Sequence, residues 1–402
     1  MRRVQIVAYQ TVLLFALLGV LFIPFSFSFN RFHAKITQFL FEDLILFIAS
    51  HFEDIRIANP EISSDSTTLY LLVFVLFFVS IILVTLFSQF NFWKNNRQRI
   101  EQTIQLVLVY YLSVIMLKYG FDKIFKAQFY LPEPNTLFTP LGLLDKDILY
   151  WSMMGTSHLY NVFMGFSEVI PAILLLFSRT RNLGLLILSG VLINVVFINL
   201  GFDISVKLYS SFLLFLCFVL LAPSFRSLFH FFVLNKSATL PSVSSQNLII
   251  SKAKRVAFKS ALLILFFVES LLPYIRTGHY NDDNTPRNYL HGAYAVDGIE
   301  NRDSLALKVK RIFIHRQNYF IFQYEDFTME DFHLEIKPAQ RQMILTNYEG
   351  EKIYVHYTYF ETSQILKLTF VDMGMTLYST SIPWRDLPLL QPLFHWTVDE
   401  ID

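Results

Sequence analysis

The amino-acid sequence predicts a multi-pass α-helical membrane bundle of about seven transmembrane helices, followed by a C-terminal all-β domain that is either a barrel or a sandwich. Three observations carry that expectation. Apolar runs long enough to cross about 30 Å of hydrocarbon recur at roughly 5–29, 69–92, 101–119, 150–178, 183–201, 205–223 and 257–275. The composition suits lipid: 54% of the 402 residues are hydrophobic, 43 are Phe and only 16% are charged, where a soluble domain carries about a quarter. After Tyr274 the pattern changes to alternation with a period of two.

Arg2 and Arg3 precede the first run, Val4 to Phe29. That run is about twice the length of a signal-peptide apolar region and ends without a small-x-small cleavage site, so it reads as a retained helix. Basic residues gather in alternate connections: Lys94, Arg97 and Arg99 after the second run, Arg179 and Arg181 after the fourth, and Arg226, Lys236, Lys252, Lys254 and Arg255 after the sixth. The intervening connections are mixed or acidic, with Glu42, Asp43, Glu53, Asp54 and Asp65 in one and Glu133, Asp145 and Asp147 in another. The positive-inside rule then puts the N-terminus in the cytoplasm and, after seven crossings of an inner membrane, the C-terminal domain in the periplasm. Within the long outer connection 31–68, Ile36, Phe39, Leu40, Leu44 and Phe47 share one face of a predicted helix lying along the outer interface.

The β-rich part has candidate strands at 290–296, 306–314, 318–324, 331–337, 342–347, 352–359, 364–371 and 374–380, with a last strand at Phe394 to Val398. The resulting division is 1–100 for the N-terminal helices, 101–225 for a membrane core, 226–280 for a cytoplasmic linker and last helix, and 281–402 for the β domain.

Ionisable residues at membrane depth are costly and mark function by default. Glu168 lies 11 residues before the cytoplasmic Arg179, near mid-bilayer, with Pro171 beyond it. Lys118 and Asp122, like Asp203 and Lys207, are four apart and can share a helical face. Lys123 and Glu168 are placed to pair across helices. These residues predict an outward polar pocket floored by Glu168 and rimmed by Lys118, Asp122, Lys123, Asp203 and Lys207, with Asn161 and Asn199 nearby. The same groups also serve as structural hydrogen bonds that fix helix register. Glu269, near Pro273, reads as solvated at the interface.

Several classes are excluded. There is no GxGxxG, P-loop, HExxH or CxxC, and the lone Cys217 sits in an apolar run as a packing residue. The ten histidines are scattered, with only His158 near a span, which excludes a bundle haem. A net charge of +1 with segregated charges gives no nucleic-acid footprint.

Gly120-Phe121-Asp122-Lys123, Gly165-Phe166-Ser167-Glu168 and the Arg179-Thr180-Arg181 turn resemble the signatures of the DoxX/DoxX-like membrane protein family, a four-helix bundle. The resemblance covers about 101–225 and extends, through Tyr130–Thr136, Gly201–Leu208 and Phe394-His395-Trp396, to a longer Bacteroidetes-type version. It implies roles for Lys123 and Glu168 and a link to membrane redox chemistry through a thiosulfate:quinone oxidoreductase. No redox centre is encoded, so quinone enters as a ligand, and the expected function is a non-enzymatic accessory of membrane quinone chemistry. Two alternatives stand beside it. A carrier of lipid or another small molecule requires a β-domain cavity lined by Phe313, Phe322, Tyr324 and Tyr357; a protein docking a periplasmic partner requires a filled β core and an exposed apolar patch.

Overall fold

A computed structural model describes residues 2–25, 32–52, 57, 60–241, 252–300, 309–391, 394–397 and 399. The chain divides into two compact units: Met1–Gln128 with Leu159–Tyr280, and Phe129–His158 with Asn281–Asp402.

The first unit is helical. Its long elements are α1 (Arg2–Phe22), α2 (His33–Ala49), α3 (Thr67–Phe87), α4 (Asn91–Ile124), α7 (His158–Leu175), α8 (Arg181–Gly201), α9 (Lys207–Leu221) and α11 (Lys252–Thr277), with a short α10 (Phe225–Phe232) after α9. Among the described residues, seven helices are long and apolar enough to cross a membrane. Helices suit that setting because they satisfy every backbone polar group internally. In α3, 21 residues pass without a charge, and the Ser66 side chain caps the start by accepting from the Leu69 N–H at 3.2 Å. Leu13, Leu72, Leu76, Leu108, Leu112, Ile115 and Leu216 fill the core, whereas Phe74, Phe163, Phe197 and Ile264 point outward and are at least half exposed. Such a surface would aggregate in water and is solvated by lipid.

The predicted outer helix is α2. Its apolar face, Ile36, Phe39, Leu40, Leu44 and Phe47, is exposed, while Thr37, Ile45 and Ala49 turn inward. Thr37 donates to the Phe22 carbonyl at 3.0 Å. The tail of the first predicted span beyond Phe25, the acidic Glu53 and Asp54, and the start of the strand predicted at 306 lie outside the described residues.

The second unit combines a β-barrel with the segment between α4 and α7. β1 (Gly292–Glu300), β2 (Val309–His315), β3 (Tyr319–Tyr324), β4 (Met329–Lys337), β5 (Gln342–Thr346), β6 (Lys352–Phe360), β7 (Ile365–Phe370) and β8 (Met375–Ile382) pair in sequence order, and β8 pairs with β1. Every pairing is antiparallel, so the choice between barrel and sandwich resolves as a closed barrel without an open edge. Alternation sets its faces: Ile312, Ile314, Phe320, Phe322, Val355, Tyr357, Leu366, Leu368 and Leu377 form the interior, and Phe313 and Ile321 point outward. Short helices α5 (Pro134–Leu137) and α6 (Lys146–Gly155) belong to the same unit, where Leu131, Leu137 and Phe138 cover Phe313, Ile321 and Trp384 on the barrel's outer face.

Three expectations need correction. The apolar run 150–178 is not one span, because it breaks at Thr156–Ser157 between α6 and α7. A Cβ on Gly155 would stand 2.1 Å from the Tyr130 carbonyl oxygen, so glycine lets α6 close onto the barrel unit's own loop. The segment 129–158, assigned from sequence to the membrane core 101–225, therefore groups with the barrel. No strand forms over residues 394–397, and Val398 lies outside the described residues. With β1 and β8 already paired, the sheet has no edge to receive a ninth strand.

Candidate functional site

In the helical unit, α4 carries Ser113, Lys118, Asp122 and Lys123 on its second half. Its Gly120 faces Gly165 of α7: a Cβ on Gly120 would stand 2.8 Å from the Gly165 carbonyl oxygen, and one on Gly165 would stand 2.5 Å from that of Gly120. The two backbones touch there. One turn further along each helix, Lys123 Nζ donates to Glu168 Oε2 at 2.9 Å, with both side chains at most 6% exposed. The expected cross-helix pair is present, and it is closed. Ser113, further down α4, donates to the Ala172 carbonyl at 2.8 Å beside Pro171.

A cavity of about 310 Å³ lies at the end of the bundle where α1 and α4 finish and α3 and α9 begin. Ile23, Phe25, Leu69 and Val206 supply apolar wall; Asp65, Lys118, Tyr119, Asp122 and Tyr209 supply polar groups. The Phe25 and Tyr209 rings stack with centroids 5.4 Å apart, and the Tyr209 hydroxyl meets that of Tyr111 at 2.9 Å. Asp65 caps α9 by accepting from the backbone N–H groups of Lys207 and Leu208 at 2.8 and 2.9 Å.

The predicted pocket residues therefore separate. Lys118 and Asp122 line the cavity, but not as a mutual pair: Lys118 Nζ is 3.7 Å from Glu269, and Asp122 accepts from the Tyr274 hydroxyl. Lys123 and Glu168 do not line it; they satisfy each other between touching helices. Lys207 reaches Asp203 at 2.8 Å as expected, yet the Asp203 side chain is 82% exposed and belongs to the surface. Asn199 donates to Ser210 at 2.9 Å, and Asn161 is fully buried. Glu269, expected to be solvated, is 2% exposed and faces Lys118. Sequence reasoning also missed Tyr274, Asp65 and the fully buried Lys126, whose φ of +53° is a left-handed conformation at the end of α4. A cationic side chain three residues beyond Lys123, where the helix must stop, was the available signal.

A second charged cluster lies within the barrel unit. Glu133 accepts from Arg316 Nε and from the Arg316 backbone N–H at 3.2 Å, and stands 2.8 Å from His291 Nε2 and 3.8 Å from His315 Nε2. Asp282 accepts from Arg316 Nη1 at 2.9 Å, Arg287 Nη2 at 2.9 Å and the Leu131 N–H at 2.9 Å. Burial opposes ionisation of Glu133, but the His291 hydrogen bond and the charges of Arg316 and the two histidines outweigh it and hold the carboxyl down at about 2. Asp282 is likewise lowered, with burial overcome mainly by Arg316. Burial, with the Arg316 charge, pushes the His315 imidazole below its ordinary value despite Glu133. Among the described residues, no group of three or more His, Cys, Asp or Glu side chains has the arrangement of a metal site.

Among the described residues, seven helices long and apolar enough to cross a membrane, with a buried ion pair between two of them and a closed β-barrel in the same chain, define the class of a multi-pass membrane protein. Within that class, the chain belongs to the family of the uncharacterised protein YwoB of Bacillus subtilis. The two are 35% identical over 128 residues, which make up 32% of this chain and 79% of that protein. No family model matches the chain, and no solved structure matches it.

Proposed function

We propose that this protein is a DoxX-like accessory of inner-membrane quinone chemistry, which holds a quinone or a similarly amphiphilic lipid headgroup in the cavity between α1, α3, α4 and α9. The observation that carries this reading is the cavity's mixed wall. A quinone ring needs apolar surface on its faces and one or two polar groups for its oxygens; here Phe25, Leu69 and Val206 stand beside the Lys118 ammonium and the Tyr119 and Tyr209 rings. At about 310 Å³ the space is at the small end of ligand sites, which run from about 300 Å³ upward. The protein positions the ligand and supplies no electrons of its own.

The proposed orientation has a cytoplasmic N-terminus and a periplasmic barrel unit. One feature supports the orientation, and a second supports a shared side for the two segments of the barrel unit. The basic connections alternate along the chain. In addition, the two segments that fold into the barrel unit are separated by four spans, α7, α8, α9 and α11, and an even number returns the chain to the same side.

Native mass spectrometry of the protein extracted in lipid nanodiscs tests the ligand. A bound quinone or lipid adduct is expected on the native chain, with much lower occupancy on Lys118→Met. A native chain with no adduct, even after added menaquinone or ubiquinone, would remove the reading.

A second reading, a membrane-anchored protein docking a periplasmic partner, has its own support: the barrel core is filled, and Tyr354, Val371 and Met373 are 40–52% exposed near one turn. The carrier reading calls for a β-domain cavity lined by Phe313, Phe322, Tyr324 and Tyr357, and these side chains do not share one face of the sheet. Phe322 and Tyr357 lie in that filled core and Phe313 faces outward, because neighbouring strand residues alternate between the two faces.

A further inference from the structure

The barrel's outer face carries a cleft of about 300 Å³ beside α5, where β2 turns into β3 and β3 pairs with β4. Its chemistry differs from that of the membrane cavity. The floor is apolar, from Ile321 and Met329, and the wall holds one aromatic ring, Tyr319. Around them stand four planar polar side chains: the amides of Asn135 and Gln317, the His315 imidazole and the Asp331 carboxylate. Among the described residues, no Lys or Arg lines the cleft.

Two of the polar groups, His315 and Asp331, are held in place. The His315 Nδ1 accepts from the Gln317 backbone N–H at 3.1 Å, and its Nε2 is 3.8 Å from the buried Glu133 carboxylate. The Tyr348 hydroxyl donates to Asp331 Oδ2 at 2.5 Å. The Asn135 side-chain oxygen is buried without a hydrogen-bond partner among the described residues. Rings continue the site outward: Tyr319 to His333 at 4.9 Å, then His333 to Tyr348 at 5.6 Å, with Tyr348 71% exposed.

We propose that this cleft binds the terminal one or two units of a neutral or amino sugar. A pyranose presents a C–H face that lies on an aromatic or apolar surface, and a rim of hydroxyls that both donate and accept. Tyr319, Ile321 and Met329 meet the face; the Gln317 amide, which both donates and accepts, and the second Asp331 oxygen, which accepts, meet the rim. The lack of a cation at the cleft disfavours phosphate and carboxylate ligands. The volume sets the length, because ligand sites begin at about 300 Å³ and this one has room for a sugar end rather than a chain.

The test uses the full chain in nanodiscs, titrated with cellobiose, lactose and diacetylchitobiose and followed by saturation-transfer NMR. Saturable binding of at least one disaccharide in the millimolar range is expected. Tyr319→Ala should weaken it by about tenfold or more, and Tyr319→Phe should keep it, because the ring and not the hydroxyl makes the stack. Gln317→Ala alters an exposed side chain that carries no fold contact, and should weaken binding severalfold at unchanged thermal stability. The proposal is overturned if none of the three sugars binds saturably to the native protein. It is also overturned if Tyr319→Ala, or Gln317→Ala should the first variant not fold, binds as tightly as the native chain.

Discussion

Lys123 and Glu168 are buried side chains of opposite charge, 2.9 Å apart. Removing one partner of such a pair strands the other and typically costs about 3–5 kcal/mol, whereas replacing both with apolar groups of similar volume is often neutral. Thermal unfolding in detergent should therefore place Glu168→Gln and Lys123→Met well below the native protein, and Lys123→Met/Glu168→Leu close to it. Because neither side chain lines the membrane cavity, ligand occupancy should survive in the double variant. Equal unfolding temperatures for native and single variants would show that the pair contributes nothing to the fold. This part of the site was legible in the sequence: each charge stands three residues after a glycine, and two buried charges of opposite sign call for each other. The Lys118–Glu269 pair was not, because hydropathy places a residue along a span and says little about which neighbouring helix it faces. The same limit applies to Asp122, which satisfies itself on Tyr274 from a helix 152 positions later in the chain.

Among the elements, the loop that carries α5 depends most on a single residue. Glu133 ties the loop to β2 through Arg316 and to the start of β1 through His291, and its carboxyl titrates at about 2 instead of its ordinary 4.5. A carboxyl lowered by folding stabilises the fold above its ordinary pKa, and that contribution is lost as pH falls through the folded value. The barrel unit should keep the full effect, roughly 3 kcal/mol, down to about pH 4.5 and lose it progressively towards pH 2. Urea unfolding across that range checks this: Glu133→Gln should already be less stable at neutral pH, and its curve should lack this acid-dependent loss. Superimposable acid limbs would mean that Glu133 does not hold the loop. Strand alternation revealed all eight β elements to within a few residues, because one face of each is buried in a closed interior. It gave no sign of the α5 loop, whose role rests on ion pairs rather than on a local pattern. The α6–α7 break was hidden for a related reason, since both halves are apolar enough to read as one span.

For the whole molecule, the proposed topology puts the two ends of the chain in opposite compartments. A fluorescent or enzymatic reporter fused at residue 1 should be active only in the cytoplasm and one at residue 402 only outside it. Activity of both on one side would remove the seven-crossing arrangement and the periplasmic address of both the barrel and its cleft.

The composition of the barrel unit also governs how it is made. Glu133 and Arg316 lie 183 positions apart, and four spans intervene between the two segments that join. A ribosome delivers residues 129–158 long before the strands they cover, so Leu131 and Phe138 emerge before Phe313 and Ile321 are synthesised. The nascent loop waits for its cover until the final strand has closed the sheet. Completion of this unit therefore comes at the end of synthesis, and a chain truncated just before β8 leaves β1 and β7 as open edges.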